Sequence, residues 1–323
     1  MKAKTTQGNV SYKSILRSTL AKCNALWNKF SRSPQLAEKI VDHCGRGLIT
    51  PAATRWNSLF DSIRCLLDMK DKLPQIFEHA SVEKLKATEV EFIDDYVTAL
   101  QPIAYALDKL QSEKDFYYGY LAPTIFQTLK ALDKLIENAE NRKYTVPLAR
   151  ALKGGINARF PQLCKLEYSC KEEILAAVTH PYFKIRWLPK SRQETAKKLF
   201  IDEAKIFAST KVRSALSGKE TTTNTDPDNF FDFESTEVSE SDDLTSVELE
   251  CLGYLEDKST DVRSLVKYPT VKEMFKRFNT GIPSSAPAER LFSYGGLVLQ
   301  PKRGRLSDET FEILVYLKLS HSK

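Results

Sequence analysis

Cysteine and histidine are the side chains here that could hold a metal ion or act as nucleophiles, and their spacing argues against both. Six cysteines (Cys23, Cys44, Cys65, Cys164, Cys170, Cys251) and four histidines (His43, His79, His180, His321) are scattered along 323 residues, and no two cysteines form C-x-x-C. A zinc finger needs two close ligand pairs to fix a tetrahedral site. Only His43 and Cys44 adjoin, and neighbours in sequence seldom converge on one ion. The cysteines therefore read as ordinary reduced thiols, and no metal, cofactor or small-molecule ligand is expected. A second chemistry is electrostatic. The turn Pro301-Lys-Arg-Gly-Arg305 gathers Lys302, Arg303 and Arg305, which either touch DNA phosphates or are simply solvated.

The net charge of +6 hides an asymmetry. Residues 219–250 contain eleven Asp/Glu against one Lys, a local charge of −10, so the remainder carries +16. A body that basic is compatible with phosphate binding, and equally with lysines that keep helices soluble. The acidic, Ser/Thr-rich segment 216–246 cannot bury enough apolar surface to offset its ordering entropy, and a disordered loop is expected there. Phe230, Phe231 and Phe233 within it could form a short docking peptide. No apolar run approaches the ~18 residues needed to cross a bilayer. The polar start MKAKTTQGNVSYKS has no secretory h-region. An intracellular chain without a membrane partner is expected.

The elements that must position these groups are helices, because apolar residues recur with period 3.6 and strand-like alternation is scarce. Segments 12–30 and 34–44 read as helical. Phe92, Tyr96, Leu100, Ile103, Leu107 and Leu110 draw one stripe down a long helix, with a kink or break expected near Gln101 because Pro102 lacks an N–H. Leu121, Ile125, Leu129, Leu132 and Ile136 draw a second. Val271, Met274, Phe275 and Phe278 mark a further helix after Pro269.

Towards the C-terminus, Ala288 to Tyr294 is expected to be helical and to end at Gly295-Gly296, natural residues for a left-handed cap. Ser307 reads as the N-cap of a final helix, with Asp308 and Glu309 in the dipole-favoured first turn and Leu306 and Phe311 placed as a hydrophobic staple. Ile313, Leu314, Val315, Tyr316, Leu317 and Leu319 cover nearly its whole circumference. Such a helix must be buried on most sides, either as the centre of its own domain or as half of an interface.

The stretch PSSAPAERLFSYGGLVLQPKRGRLSDETFEILVYLKLS closely resembles the C-terminal dimerisation region of hAT-superfamily transposases and their domesticated relatives, including BED-finger proteins. Thr54-Arg-Trp-Asn-Ser58, the helical pattern from Asp94 to Leu110, and Leu175-Ala-Ala-Val-Thr-His-Pro-Tyr-Phe-Lys184 match in the family's order. The resemblance implies a mainly α chain: a helical insertion domain of a transposase plus the C-terminal remnant of an RNase H-like α/β core. On that reading residues 1–215 form the helical domain, 216–246 the acidic loop, and 247–323 the dimerisation region. It implies a homodimer or higher homo-oligomer, in the nucleus, with Leu291, Phe292, Leu297, Leu306, Phe311, Leu314, Val315 and Leu317 at the interface.

The family's chemistry uses two aspartates and a later glutamate to hold two divalent cations, because attacking and leaving oxygens both develop charge. The resemblance puts that glutamate at Glu289. The two aspartates are expected upstream of where this chain begins, and Asp94 and Asp95 are not substitutes, having a surface or first-turn role. One carboxylate cannot hold two metals, so Glu289 is expected to be vestigial, bonded to Arg290 or a neighbouring turn, and the chain non-enzymatic. Trp56 aligns with a tryptophan near the family's DNA-processing site, where it could stack on a displaced base beside a phosphate held by Arg55. Without the catalytic strands, the favoured reading is that it anchors the first turn of a core helix capped by Thr54. Sequence-independent DNA binding and a truncated record of an active transposase are the alternatives to an assembly protein.

Overall fold

In the computed structural model every regular element among the described residues is a helix. It describes residues 2–52, 57–112, 117–138, 142–216, 240–299 and 306–321, the side chains of 2–11, 211–216, 240–244, 319 and 321 excepted. Among the described residues there is no strand, so the mainly α expectation holds while its α/β part has no strand to carry it. The chain divides into two compact units, 1–108 with 127–161, and 109–126 with 162–323.

The first unit opens with α1 (Lys2–Arg32), α2 (Pro34–Cys44), α3 (Ser58–Leu67) and α4 (Leu73–His79), followed by α5 (Ala87–Leu110). Local chemistry fixes α2 closely. Ser33 is an extended N-cap whose Oγ accepts from the Leu36 N–H at 3.2 Å, and Pro34 takes the first turn, where its missing N–H costs nothing. Gly45 ends it at φ +78°, donating to Val41 O at 2.7 Å. Leu26, Trp27, Ile40, Leu66, Ile76 and Phe77 then meet in one core. The segment 47–52 carries no regular structure and serves as a linker.

A buried ionic network ties α1 to the start of α5. Lys22 Nζ donates to Glu89 Oε2 at 2.9 Å and to Lys84 O at 3.1 Å, and reaches the exposed Glu83 carboxylate at 2.7 Å. Glu89 also accepts from Ser18 Oγ at 2.5 Å and from the Lys86 N–H at 2.8 Å, which is the returning half of a capping box. α5 then runs through Pro102 without a break, where a kink or break was expected. Proline removes one ladder hydrogen bond, but Val97, Ala99 and Ala104 on either side of it are buried and hold the helix in place.

Asp94 and Asp95, expected in a surface or first-turn role, differ from one another. Asp94 is half exposed, but the Asp95 side chain is 8 % accessible. It accepts from the Tyr144 N–H at 2.7 Å and Thr145 Oγ1 at 3.0 Å, while Arg142 Nη1 lies 3.4 Å away. The carboxylate thus replaces the missing cap of α7 (Thr145–Arg159), which Tyr144 cannot supply. α6 (Leu121–Asn138) precedes it, and Lys153 Nζ donates to Asp133 Oδ1.

In the second unit, α8 (Pro161–Lys165) leads to α9 (Lys171–Thr179), the central helix, in which every residue from Ile174 to Thr179 is buried. A 3₁₀ turn, Tyr118–Tyr120, rests on it, and α10 (Lys190–Leu216), α11 (Glu240–Glu256) and α12 (Pro269–Phe278) pack around it. The Leu175–Lys184 stretch therefore forms the middle of this unit. The His180 ring stands 5.2 to 5.7 Å from the rings of Tyr117, Tyr120, Phe183 and Phe275. Lys184 is buried over the Tyr254 ring at 4.8 Å and donates to Asp257 O, and burial holds its ammonium below the ordinary lysine range. α11 begins at Glu240, inside the segment expected to be disordered to 246. Val247, Cys251 and Tyr254 recur at helical spacing and are all buried, which draws helix into the acidic stretch. Residues 217–239 of that segment lie outside the described residues.

Candidate assembly surface

The last two helices are α13 (Ala286–Val298) and α14 (Asp308–His321). Before α13, Ser284 Oγ donates to Leu110 O at 2.9 Å and Arg290 Nη2 to Gln111 O at 2.5 Å, so its first turns are pinned to the 110–111 segment. Pro287 sits within the first turn. Gly295 and Gly296 do not end the helix as expected; it continues to Val298. A Cβ on Gly295 would lie 3.3 Å from Phe311 Cζ, so the glycine is the place where α14 presses against α13. Ser307 caps α14 as read from the sequence, its Oγ accepting from the Thr310 N–H at 3.3 Å.

This contact sorts the apolar residues of α14 into two faces. Val315 is buried at 8 %, and Phe311 and Leu314, one turn apart on the same side, are half-buried. Ile313, Tyr316 and Leu317 share the opposite face and are 59, 72 and 46 % exposed. On α13, Val298 is buried, whereas Leu291, Phe292 and Leu297 are exposed, Phe292 at 76 %. Phe292 and Gly296 are one turn apart on α13 and Leu299 follows its end, and a Cβ on Gly296 would meet nothing within 4 Å.

Of the residues expected at an interface, Leu291, Phe292, Leu297 and Leu317 thus face outwards. Leu306, Phe311, Leu314 and Val315 are half-buried or buried. Ile313, Tyr316 and Leu299 were not among those expected, although they are as exposed. The i, i+3, i+4 spacing of Ile313, Tyr316 and Leu317 was legible, but a helix apolar all round does not say which side its own chain covers.

Glu289 is exposed, and its Oε1 accepts from Ser285 Oγ at 2.6 Å, one turn back. Among the described residues no group of three or more His, Cys, Asp or Glu is placed to hold a metal ion, and no helix is long and apolar enough to cross a membrane. Arg55, Trp56, Lys302, Arg303 and Arg305, the candidates for DNA contact, lie outside the described residues. Neither a protein-family model nor a curated protein matches this chain.

Proposed function

We propose that this chain is a non-enzymatic assembly protein of transposase descent, pairing with a second copy of itself through the outer faces of α13 and α14. The observation that carries the reading is the exposure of Phe292, Ile313, Tyr316 and Leu317 on a hairpin whose inner faces are already packed together. Leaving those side chains in water forgoes roughly 1.5–3 kcal/mol for each large one. A partner with a like apolar face recovers it, and a twofold pairing supplies such a face automatically. The resemblance to the hAT dimerisation region supports the same partner and a nuclear setting. It also supports reading α12 to α14 as the helical remnant of an RNase H-like core, with Glu289 a residue of its former metal site. The Ser285 contact gives Glu289 a local role that needs no metal.

Light scattering at micromolar concentration should give twice the 36.7 kDa of one chain. The pair Phe292→Glu and Leu317→Glu should return the mass to one chain while leaving the helical circular dichroism intact, since both side chains point away from their own fold. A wild-type monomer, or a doubly charged variant that still dimerises, refutes this surface. Val315→Glu is a useful contrast: it should lower stability first, because Val315 is buried within the hairpin.

A further inference from the structure

A cleft of about 350 Å³ in the first unit is lined by Asn28, Lys29, Arg32, Ser33, Leu36, His79 and Ala80. Three of these carry or can carry positive charge, and they come from the end of α1 and the end of α4. Lys29 Nζ donates to Ala80 O and Ser81 O, each at 2.9 Å, which fixes the ammonium at the cleft and leaves one of its three donors to spare. Among the described residues no carboxylate forms an ion pair with Lys29, Arg32 or His79; Glu78, beside His79, is held by Lys84 at 2.7 Å. Cations gathered in a concave site raise the local potential and favour an anion, and the Glu78 carboxylate, whose charge acts on His79, is itself paired with Lys84. The start of α2 at Ser33 adds the positive end of a helix dipole to the same wall.

His43 packs edge-on to His79, ring centroids 5.7 Å apart, and the pair could be read as two metal ligands. Its surroundings oppose that. Lys72 Nζ sits on His43 O at 3.0 Å, and Lys29 and Arg32 line the cleft beside His79, so a cation would enter a field of like charge. We propose that this cleft binds a phosphate group, with the Arg32 guanidinium as its forked donor and the Lys29 ammonium and His79 ring as flanking partners. Arginine matches phosphate geometry with two parallel N–H bonds, which gives the cleft a way to select phosphate over chloride.

The test is calorimetric titration of the full chain with inorganic phosphate against sodium chloride at equal ionic strength, with a short DNA duplex in a parallel series. Phosphate should bind saturably, and Arg32→Glu, an exposed change, should weaken it at least about tenfold with an unchanged melting temperature. If Arg32→Glu also weakens the duplex, the site takes a backbone phosphate; if the duplex is unaffected, it takes a small phosphate. No binding of either, or binding that Arg32→Glu leaves unchanged, overturns the proposal. So does saturable zinc binding lost in His43→Ala with no response to phosphate.

Discussion

Gly119→Ala should unfold the second unit or bring it close to unfolding. A Cβ at Gly119 would lie 2.4 Å from Ala176 O, 2.9 Å from Ala176 C and 2.8 Å from Asn279 Oδ1. The first two are backbone atoms of α9, where Ala176 is fully buried, so neither can step aside. The same point carries a hydrogen-bond cluster. The Gly119 N–H donates to Asn279 Oδ1 at 2.8 Å, and Asn279 Nδ2 donates to Ala176 O at 3.1 Å and Thr179 Oγ1 at 3.3 Å. One methyl group would therefore force apart the turn, α9 and the end of α12, and strand buried polar atoms. Overpacking and lost buried hydrogen bonds together cost about 3–5 kcal/mol, a large part of the ~5–15 kcal/mol that keeps a domain folded. Denaturant unfolding gives the measure. Gly154→Ala is the control, because a Cβ there meets nothing within 4 Å in helix α7. It should stabilise by up to about 1 kcal/mol. Equal effects at the two positions would contradict the packing described for Gly119.

The second large effect is expected at Glu89. Its side chain is 4 % accessible and that of its partner Lys22 9 %. Glu89→Ala leaves the Lys22 ammonium buried with Lys84 O and the exposed Glu83 as its partners, and breaking a buried pair from one side costs about 3–5 kcal/mol. Adding Lys22→Met should restore much of that loss, since an apolar pair of similar volume removes the stranded charge. A double variant no more stable than the single would mean that the hydrogen bonds of Glu89, rather than the ion pair, hold α5 to α1.

The pH dependence of this pair has a definite sign. Burial pushes the Glu89 carboxyl up, but the Lys86 N–H, the Ser18 hydroxyl and Lys22 outweigh it and leave the group below its ordinary 4.5. Its contribution to stability is thus present above that ordinary value and is lost as pH falls through the lower folded one. Lys22 mirrors it. Burial pulls the ammonium down, yet Glu83 and Glu89 raise it above the ordinary 10.5. That contribution is complete below 10.5 and disappears as pH rises past the folded value. Wild type should therefore lose stability at both extremes more steeply than Glu89→Ala, which a series of melts across pH would display.

Much of the secondary structure was legible because its signals are local. The segment 34–44, read as helical, is α2 to the residue, and Val271, Met274, Phe275 and Phe278 lie buried on the side of α12 that their spacing marked. Two features misled for the same reason. Pro102 and the Gly295-Gly296 pair are helix breakers by intrinsic preference, yet both lie inside helices. Buried neighbours hold α5 together around Pro102, and Phe311 needs the space that Gly295 leaves. Asp95 shows a different limit. A carboxylate in a helix is ordinary in sequence, and only the return of Tyr144 and Thr145 beside it turns it into a buried cap.

The candidate surface divides along the same line. By itself the sequence determined that the chain is helical, that its charge is segregated, and that its last helix is apolar around nearly its whole circumference, because composition and period act over a few turns of one segment. Which half of that circumference stays exposed was decided by tertiary structure alone. Gly295 admits Phe311, the contact rotates Val315 inwards, and that rotation leaves Ile313, Tyr316 and Leu317 in water. The phosphate cleft has the same origin. Lys29, Arg32 and His79 are unremarkable in the linear chain, and become a site only because helix packing carries the end of α4 to the junction of α1 and α2.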